Sequence, residues 1–397
     1  MTSEMDRLRL PKRRHDDDEI HVIEEEEYIK KELKEEMIEI DEPDPKRQRE
    51  DSGIEDDTDD ITIVFDNTNK EFPNKRNYSY AGMFEEAGGI SGGSLTGTFM
   101  RDFAADQHEP VRRPLGCTYD ESSKEWFLAD SANDAIRILR KDSTRGTAVY
   151  CDLKYPSALV VIEPGRYCAV LDHVGIRLYD YRRESFLNLV EHDLRKGFFN
   201  CRGLGLTSAG DLVTIKQSQT KPQILFYSTK KQNDLIKSIP YDIPHNLRGH
   251  EPRPSFLDIA PCGSKDRMVV TDLGMGTFSL YTLNAKSREL KLEQQFDCAG
   301  DTDDKFQFIS GAKFDANGEL FITDARGHSL KYLSKEGTFI QKVKFDDSFS
   351  YVSNFCVNSN NELLVCDRRD GRIKLYQLKA KDKLDLYLDT LLEPANL

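Results

Sequence analysis

The sequence predicts an all-β fold, a six-bladed β-propeller preceded by a disordered acidic N-terminal tail, and three observations carry that expectation. A phrase of two short strands recurs along the chain, as in Gly318-Glu319-Leu320-Phe321-Ile322-Thr323-Asp324, a loop, then Ser329-Leu330-Lys331-Tyr332-Leu333. The copies recur at similar intervals, Asp130 lying 42 residues before Asp172, Asp272 52 before Asp324 and Asp324 43 before Asp367, with room for one more unit in the 100 residues between Asp172 and Asp272. Apolar residues inside each copy alternate with period two, and no 3.6-residue period makes the repeats helical.

In chain order, the first unit ends its second strand at Asp130 and continues with Ile136 to Leu139; the second ends at Asp172 and continues with Ile176 to Tyr179. The third, Asp211 to Ile215 and then Ile224 to Tyr227, has no strand-end aspartate. The fourth ends at Asp272, the fifth at Asp324 and the sixth at Asp367, each followed by a further strand. Turn chemistry separates the strands, as at Asp315-Ala316-Asn317-Gly318 and Asn358-Ser359-Asn360-Asn361. Four strands of four to six residues fit the spacing, and radial packing of such sheets covers their faces. Ring closure is expected from the segment Tyr78 to Phe84 as a strand of the last blade, with Leu384 to Leu388 the alternative filler of that seam.

The units resemble NHL repeats: an apolar first strand with Gly, a turn, a second strand ending in Asp, and a third strand like arginine-isoleucine-x-x-phenylalanine. Pro114-Leu115-Gly116-Cys117 with Asp120, Asp130, Asn133, Arg137 and Ile138 fits that pattern, as do Asp367, Gly371, Arg372, Ile373 and Tyr376. Met83 to Phe99 resembles the Gly-rich lead-in to a first repeat. The resemblance covers residues 78–380 and leaves 381–397 as an extension. Departures are the third unit's missing Asp, Gly274-Met275-Gly276 in the fourth, and insertions at Gln217 to Pro222 and Asp242 to Pro254. The resemblance implies RNA binding through a basic face, as in propellers of the tripartite-motif class. The RING, B-box and coiled-coil segments usual there are not recognisable. Other similar propellers are lyases and lactonases with His, Glu and Asp around a metal in the channel.

Residues 1–77 hold 14 Lys and Arg against 26 Asp and Glu, and so carry −12 of the chain's formal charge of −14. With few aromatics and blocks such as Glu24 to Glu27, this segment has too little apolar surface to offset the entropy of ordering. No apolar run approaches the roughly 20 residues of a membrane span, and the first ten residues are no secretory signal. The expectation is a soluble nuclear protein, shuttling to the cytoplasm, with no membrane partner. The eight cysteines never form a Cys-x-x-Cys pair and read as small core hydrophobes in a reducing compartment.

The repeated strand-end Asp reads as an acceptor of backbone N–H bonds in the next turn, fixing a loop. His173, His250 and His328 fall in different units with no repeated ligand pattern, so no catalytic residue, cofactor or metal is expected and the protein is read as no enzyme. Loops joining second to third strands open on the same face as the connections between blades. That face is expected to gather Arg112, Arg113, Arg202, Lys216, Lys221, Arg248, Arg253, Arg326, Arg368 and Arg369, against few acids, chiefly Asp134, Glu251 and Asp370. Concentrated arginine on one rim fits phosphate, and so RNA as partner. The alternatives are a protein scaffold in ubiquitin or SUMO pathways and, third, a metal-dependent lyase or lactonase.

The tail carries signalling patterns. Lys12, Arg13 and Arg14, and Lys46, Arg47 and Arg49, form basic islands of the nuclear-import kind. Ile20, Val22 and Ile23, and Ile61, Ile63 and Val64, are β-branched runs beside acids that resemble SUMO-interacting motifs, suited to adding a strand to a sheet edge. Lys30 and Lys34 fit the apolar-Lys-x-Glu pattern of SUMO acceptors. Ser52, in Asp51-Ser52-Gly53-Ile54-Glu55-Asp56, is offered to an acid-directed kinase.

Overall fold

Six sheets of four antiparallel strands, one of them extended by a short parallel fifth, and a single 3-10 turn at Ser131–Asn133 make up the regular structure of the described residues. The computed structural model describes residues 94–103, 110–142, 147–150, 152–191, 202–216, 221–242, 251–262, 265–300, 302–315 and 318–381. The tail motifs of residues 1–77, the 78–84 segment, Arg248, His250 and the extension beyond 381 lie outside them.

Strand β1 is Ser94–Asp102. Blade one is β2 (Pro114–Asp120), β3 (Glu125–Asp130), β4 (Ala135–Arg140) and β5 (Thr147–Tyr150). Blade two is β6 (Ala158–Glu163), β7 (Tyr167–Leu171), β8 (Gly175–Asp180) and β9 (Ser185–Glu191). Blade three is β10 (Leu204–Leu206), β11 (Asp211–Lys216), β12 (Gln223–Ser228) and β13 (Leu235–Pro240). Blade four is β14 (Pro254–Cys262), β15 (Lys265–Asp272), β16 (Thr277–Asn284) and β17 (Glu289–Asp297). Blade five is β18 (Ile309–Phe314), β19 (Leu320–Asp324), β20 (Ser329–Leu333) and β21 (Phe339–Lys342), followed by the two-residue β22 (Lys344–Phe345). Blade six is β23 (Val352–Val357), β24 (Glu362–Asp367) and β25 (Arg372–Lys381), completed by β1 and β22.

The ring closes by an N-terminal strand added to the last blade, Ser94–Asp102; the Tyr78 to Phe84 segment expected from sequence lies outside the described residues. Strand β1 runs antiparallel to β25 from Ser94↔Lys381 to Asp102↔Lys374, giving blade six its fourth strand. Its sequence explains the role: Leu95 and Gly97 turn inward while Thr98, Phe99 and Met100 face out. Gly97 is required by packing, because a Cβ there would meet the Phe345 ring at 2.5 Å.

Packing between blades follows from period-two alternation. Along β3, Trp126 and Leu128 join a cluster with Leu364, Cys366 and Leu375 of blade six, while Phe127 and Ala129 join one with Leu159, Cys168 and Val170 of blade two. Four further clusters fill the remaining seams, so each sheet buries both faces and the apolar driving force is spread around the ring. Stacked rings reinforce it, as Phe278 on Phe296 at 4.5 Å and Phe321 on Tyr332 at 4.7 Å. Buried acids tie neighbouring blades on the face of the β2–β3 turn: Gly165 donates its N–H to Asp120 at 2.6 Å and Ser208 to Asp266 at 2.8 Å. Cys117, Cys168, Cys298, Cys356 and Cys366 are buried and unbridged.

Candidate functional site

The strand-end aspartates act as clasps on the connections that enter each blade. Asp324 accepts N–H bonds from Gln307 (3.1 Å), Phe308 (2.9 Å) and Gly327 (3.0 Å). Asp367 takes those of Ser350 (2.7 Å) and Tyr351 (2.8 Å), together with the Ser350 hydroxyl. Asp130 holds Arg112 (2.8 Å), Asp172 holds Lys154 (3.0 Å), and Asp272 holds Arg253 (2.8 Å). Bonds run back the other way: Ala325 donates to the Phe308 carbonyl, Arg368 to that of Tyr351, His173 to that of Lys154 and Leu273 to that of Arg253. Two short loops are thus locked together at one end of five blades, the bonding role that the turn chemistry predicts for this residue.

A feature missed in the sequence is the clasp's cation on the third strand. Arg137 Nη2 lies 2.7 Å from Asp130 Oδ2, Arg177 Nε 3.4 Å from Asp172 Oδ2, and Lys331 Nζ 3.2 Å from Asp324 Oδ2. Burial lowers the pKa of Lys331, with Asp324 opposing that shift. The signal was present as the arginine of the third-strand pattern.

The topology puts every described cation of the expected rim on the face of these clasps. Arg112 and Arg113 precede β2, Arg202 precedes β10, Arg253 precedes β14, Lys216 and Lys221 flank the β11–β12 loop, and Arg326, Arg368 and Arg369 follow β19 and β24. Arg112, Lys221, Arg253 and Arg369 are exposed, Arg113, Lys216, Arg326 and Arg368 half-buried, and Arg202 buried. Arg113 and Tyr155, in the segments entering blades one and two, hold left-handed φ values of 52° and 51°, a cost that non-glycine residues bear mainly where a loop is over-determined.

Beside the channel the cations sit on aromatic rings. Arg326 lies 5.8 Å from the Phe308 ring centroid, Arg368 5.9 Å from that of Tyr351, and Arg202 5.8 Å from that of Phe256. In blade two the corresponding pair is His173 and Tyr155, with centroids 5.0 Å apart. Phe308 and Tyr351 are themselves 6.1 Å apart, so blades five and six share one aromatic patch. Burial lowers the pKa of His173, against the pull of Asp172 and Asp134.

Acids are more numerous on this face than the sequence suggested: Asp303 and Asp304 in the connection to blade five, Asp346 and Asp347 in that to blade six. Several are engaged at the outer strands. Asp303 bonds Lys342 of β21, Asp346 accepts the Phe99 N–H of β1, and Asp347 bonds Lys374. Asp134 holds the Tyr155 N–H at 2.8 Å. Asp303 and Asp346 therefore stand at the outer strands of blades five and six, away from the arginine–aromatic pairs.

Inner-strand residues of all six blades leave a cavity of about 10 Å³, space for no more than one water. Leu159, Leu204, Phe256 and Leu257 fill it, its charged lining residues are Arg202 and Lys313, and among the described residues no Asp, Glu or His lines it. Among the described residues no group of three or more His, Cys, Asp or Glu is placed to hold a metal ion. A second hollow, about 380 Å³, lies on blade six between Phe99, Phe349 and the ion pairs Arg372–Asp102 and Lys374–Asp347, each 2.8 Å.

The architecture is that of the six-bladed β-propellers that include regucalcin and gluconolactonase-type proteins. Regucalcin from Agrobacterium tumefaciens superposes with a TM-score of 0.53 at 14% identity, over 72% of this chain and 96% of that one. A putative gluconolactonase gives 0.54 at 12% over 74% and 94%, and an auxiliary nutrient-binding protein from Bacteroides thetaiotaomicron 0.54 at 12% over 72% and 76%. At such identities the likeness is one of fold. No family model matches the chain, and no curated protein matches it in sequence.

Proposed function

We propose that this is a non-enzymatic, NHL-type binding platform that takes single-stranded RNA on the mouth face. The observation that carries the reading is the set of arginine–aromatic pairs around the mouth: Arg326 with Phe308 and Arg368 with Tyr351, held by the clasps of blades five and six, and the buried Arg202 with Phe256. Single-stranded nucleic acid asks for guanidinium groups that meet phosphates and offer flat planes to stacked bases, and the rings beneath Arg326 and Arg368 support those planes from the core side. A channel with room for one water and a lining without carboxylate or imidazole favours binding at the mouth over chemistry inside. The tail's basic islands, SUMO-like patterns and Ser52 would set nuclear import and partner choice for such a platform.

The test replaces Arg326, Arg368 and Arg369 with Glu and titrates single-stranded RNA over a range of salt. The expected result is a loss of at least about tenfold in affinity and a salt slope shallower by about two, near 0.7 per lost phosphate contact, in a variant that still unfolds cooperatively. Equal affinity of the variant and the parent sinks the reading and leaves the protein-scaffold alternative.

A further inference from the structure

Among the described residues, large apolar side chains stand exposed at Phe99, Met100, Tyr150 and Leu235. Tyr150 and Leu235 stand singly on blades one and three, as surface apolar residues ordinarily do, but Phe99 and Met100 are neighbours on β1. A bulge puts them there. Phe99 faces Tyr376 and Arg101 faces Leu375 across the ladder, so Met100 is the extra residue and falls outside the register. The strand is also guarded against simple strand addition: β22 covers Thr96 and Gly97, and beyond it both Asp346 carboxylate oxygens accept the Phe99 N–H, at 3.0 and 2.9 Å. What this edge offers a partner is therefore side chains.

Phe99 is also a wall of the blade-six hollow, whose volume of about 380 Å³ is that of a pocket able to take a whole side chain. The hollow's charges are Asp102, Asp347 and Asp370 against Arg372 and Lys374. Both cations are engaged, Arg372 with Asp102 and Lys374 with Asp347, each at 2.8 Å. Asp370, exposed in the β24–β25 loop, enters neither pair. A surplus carboxylate thus lies in the same hollow as an aromatic ring that is 42% exposed. The wall opposite shows what such a combination holds: Lys374 Nζ lies 5.4 Å from the Phe349 ring centroid while it pairs with Asp347.

We propose that the outer edge of blade six docks a protein segment carrying an arginine beside an apolar residue, the guanidinium entering the hollow over Phe99 toward Asp370 and the apolar neighbour covering Met100. A guanidinium is planar, so it stacks on a ring face and forks onto a carboxylate at once. Charge selects the partner class: a segment with a cation meets the surplus carboxylate, whereas the phosphates of a nucleic acid are repelled by it. A small organic cation fills the hollow but leaves Met100 uncovered, and a chain segment covers both. The surface is independent of the RNA reading, since it uses β1 and the hollow and none of the arginine–aromatic pairs of the mouth.

The test pans the full chain against random peptides displayed on phage and measures the selected peptides by fluorescence anisotropy. The expected result is enrichment of arginine with an aliphatic or aromatic residue beside it, and affinity for those peptides lower by about fivefold or more in Asp370→Asn and in Phe99→Thr. Both side chains are exposed, so both variants are expected to fold, and their affinity for single-stranded RNA is expected to equal the parent's. Selection without arginine, or arginine peptides that bind both variants as tightly as the parent, overturns the proposal. Displacement of the bound peptide by single-stranded RNA assigns the surface to nucleic acid and overturns it as well.

Discussion

Blades four and five carry the same aspartate at the same register and surround it differently. Asp324 accepts three backbone N–H bonds and faces Lys331; Asp272 faces Ser279. The loops diverge with them. After Asp324 come Ala325 and Arg326, the latter over Phe308, whereas Leu273 and Gly274 follow Asp272, with Gly274 so close to the Glu251 carbonyl that a Cβ would meet it at 2.2 Å. The clasp is thus indifferent to the side chains that its loop displays. Anchor and displayed side chain are adjacent residues in one turn, which lets each blade change its display without losing its anchor.

The comparison breaks most visibly in stability. Asp324→Ala removes the acceptor of three N–H groups and strands Lys331, which is 2% exposed, without its carboxylate. Removing one partner of a buried pair costs about 3–5 kcal/mol. Asp272→Ala strands no side-chain cation and is expected to cost about 1–3 kcal/mol, the range for a lost buried acceptor. Urea midpoints of the two variants against the parent check this order, and equal losses remove the distinction between the blades.

A smaller effect separates anchor from display. Arg326→Ala and Arg368→Ala each remove one cation–aromatic contact and are expected to lower stability by about 0.5–1 kcal/mol. Their RNA affinity, measured by fluorescence anisotropy, is expected to fall severalfold each. A variant that unfolds early and binds normally assigns that arginine to the scaffold.

Much of this was legible in the chain because repetition exposes it. The blades follow from the spacing of Asp130, Asp172, Asp324 and Asp367, and a carboxylate at a strand end predicts N–H acceptance from local chemistry. What escaped depends on neighbours distant in sequence. Ser94–Asp102 closes the ring only because β25 offers an edge some 280 residues on, and its Gly97 looks like a turn residue until Phe345 is placed upon it. Phe308 and Tyr351 read as ordinary apolar residues until the clasps set them beneath Arg326 and Arg368. The acids Asp303 and Asp346 belong to the mouth face by topology, and only their bonds to Lys342 and to the Phe99 N–H place them at its outer strands.

The smallest effect is also the one that joins the two blades' electrostatics, and it is read from pH. Burial raises the folded-state pKa of Asp272 above the ordinary carboxylate value of 3.8. A raised folded pKa favours the protonated folded state, so its contribution is fully present below pH 3.8 and is lost as pH rises through the folded pKa. The nearby titratable groups do not confuse the window: burial raises Tyr241 well above its ordinary value and Tyr281 to about 12, so both stay neutral, and Asp242 near Tyr281 is a carboxylate that both chains share. The unfolding free energy of the parent is therefore expected to fall relative to Asp272→Asn as pH rises from about 3.8 toward neutrality. Urea unfolding of both chains at several pH values measures the difference. A parent and a variant that run parallel show that Asp272 titrates as an ordinary carboxylate.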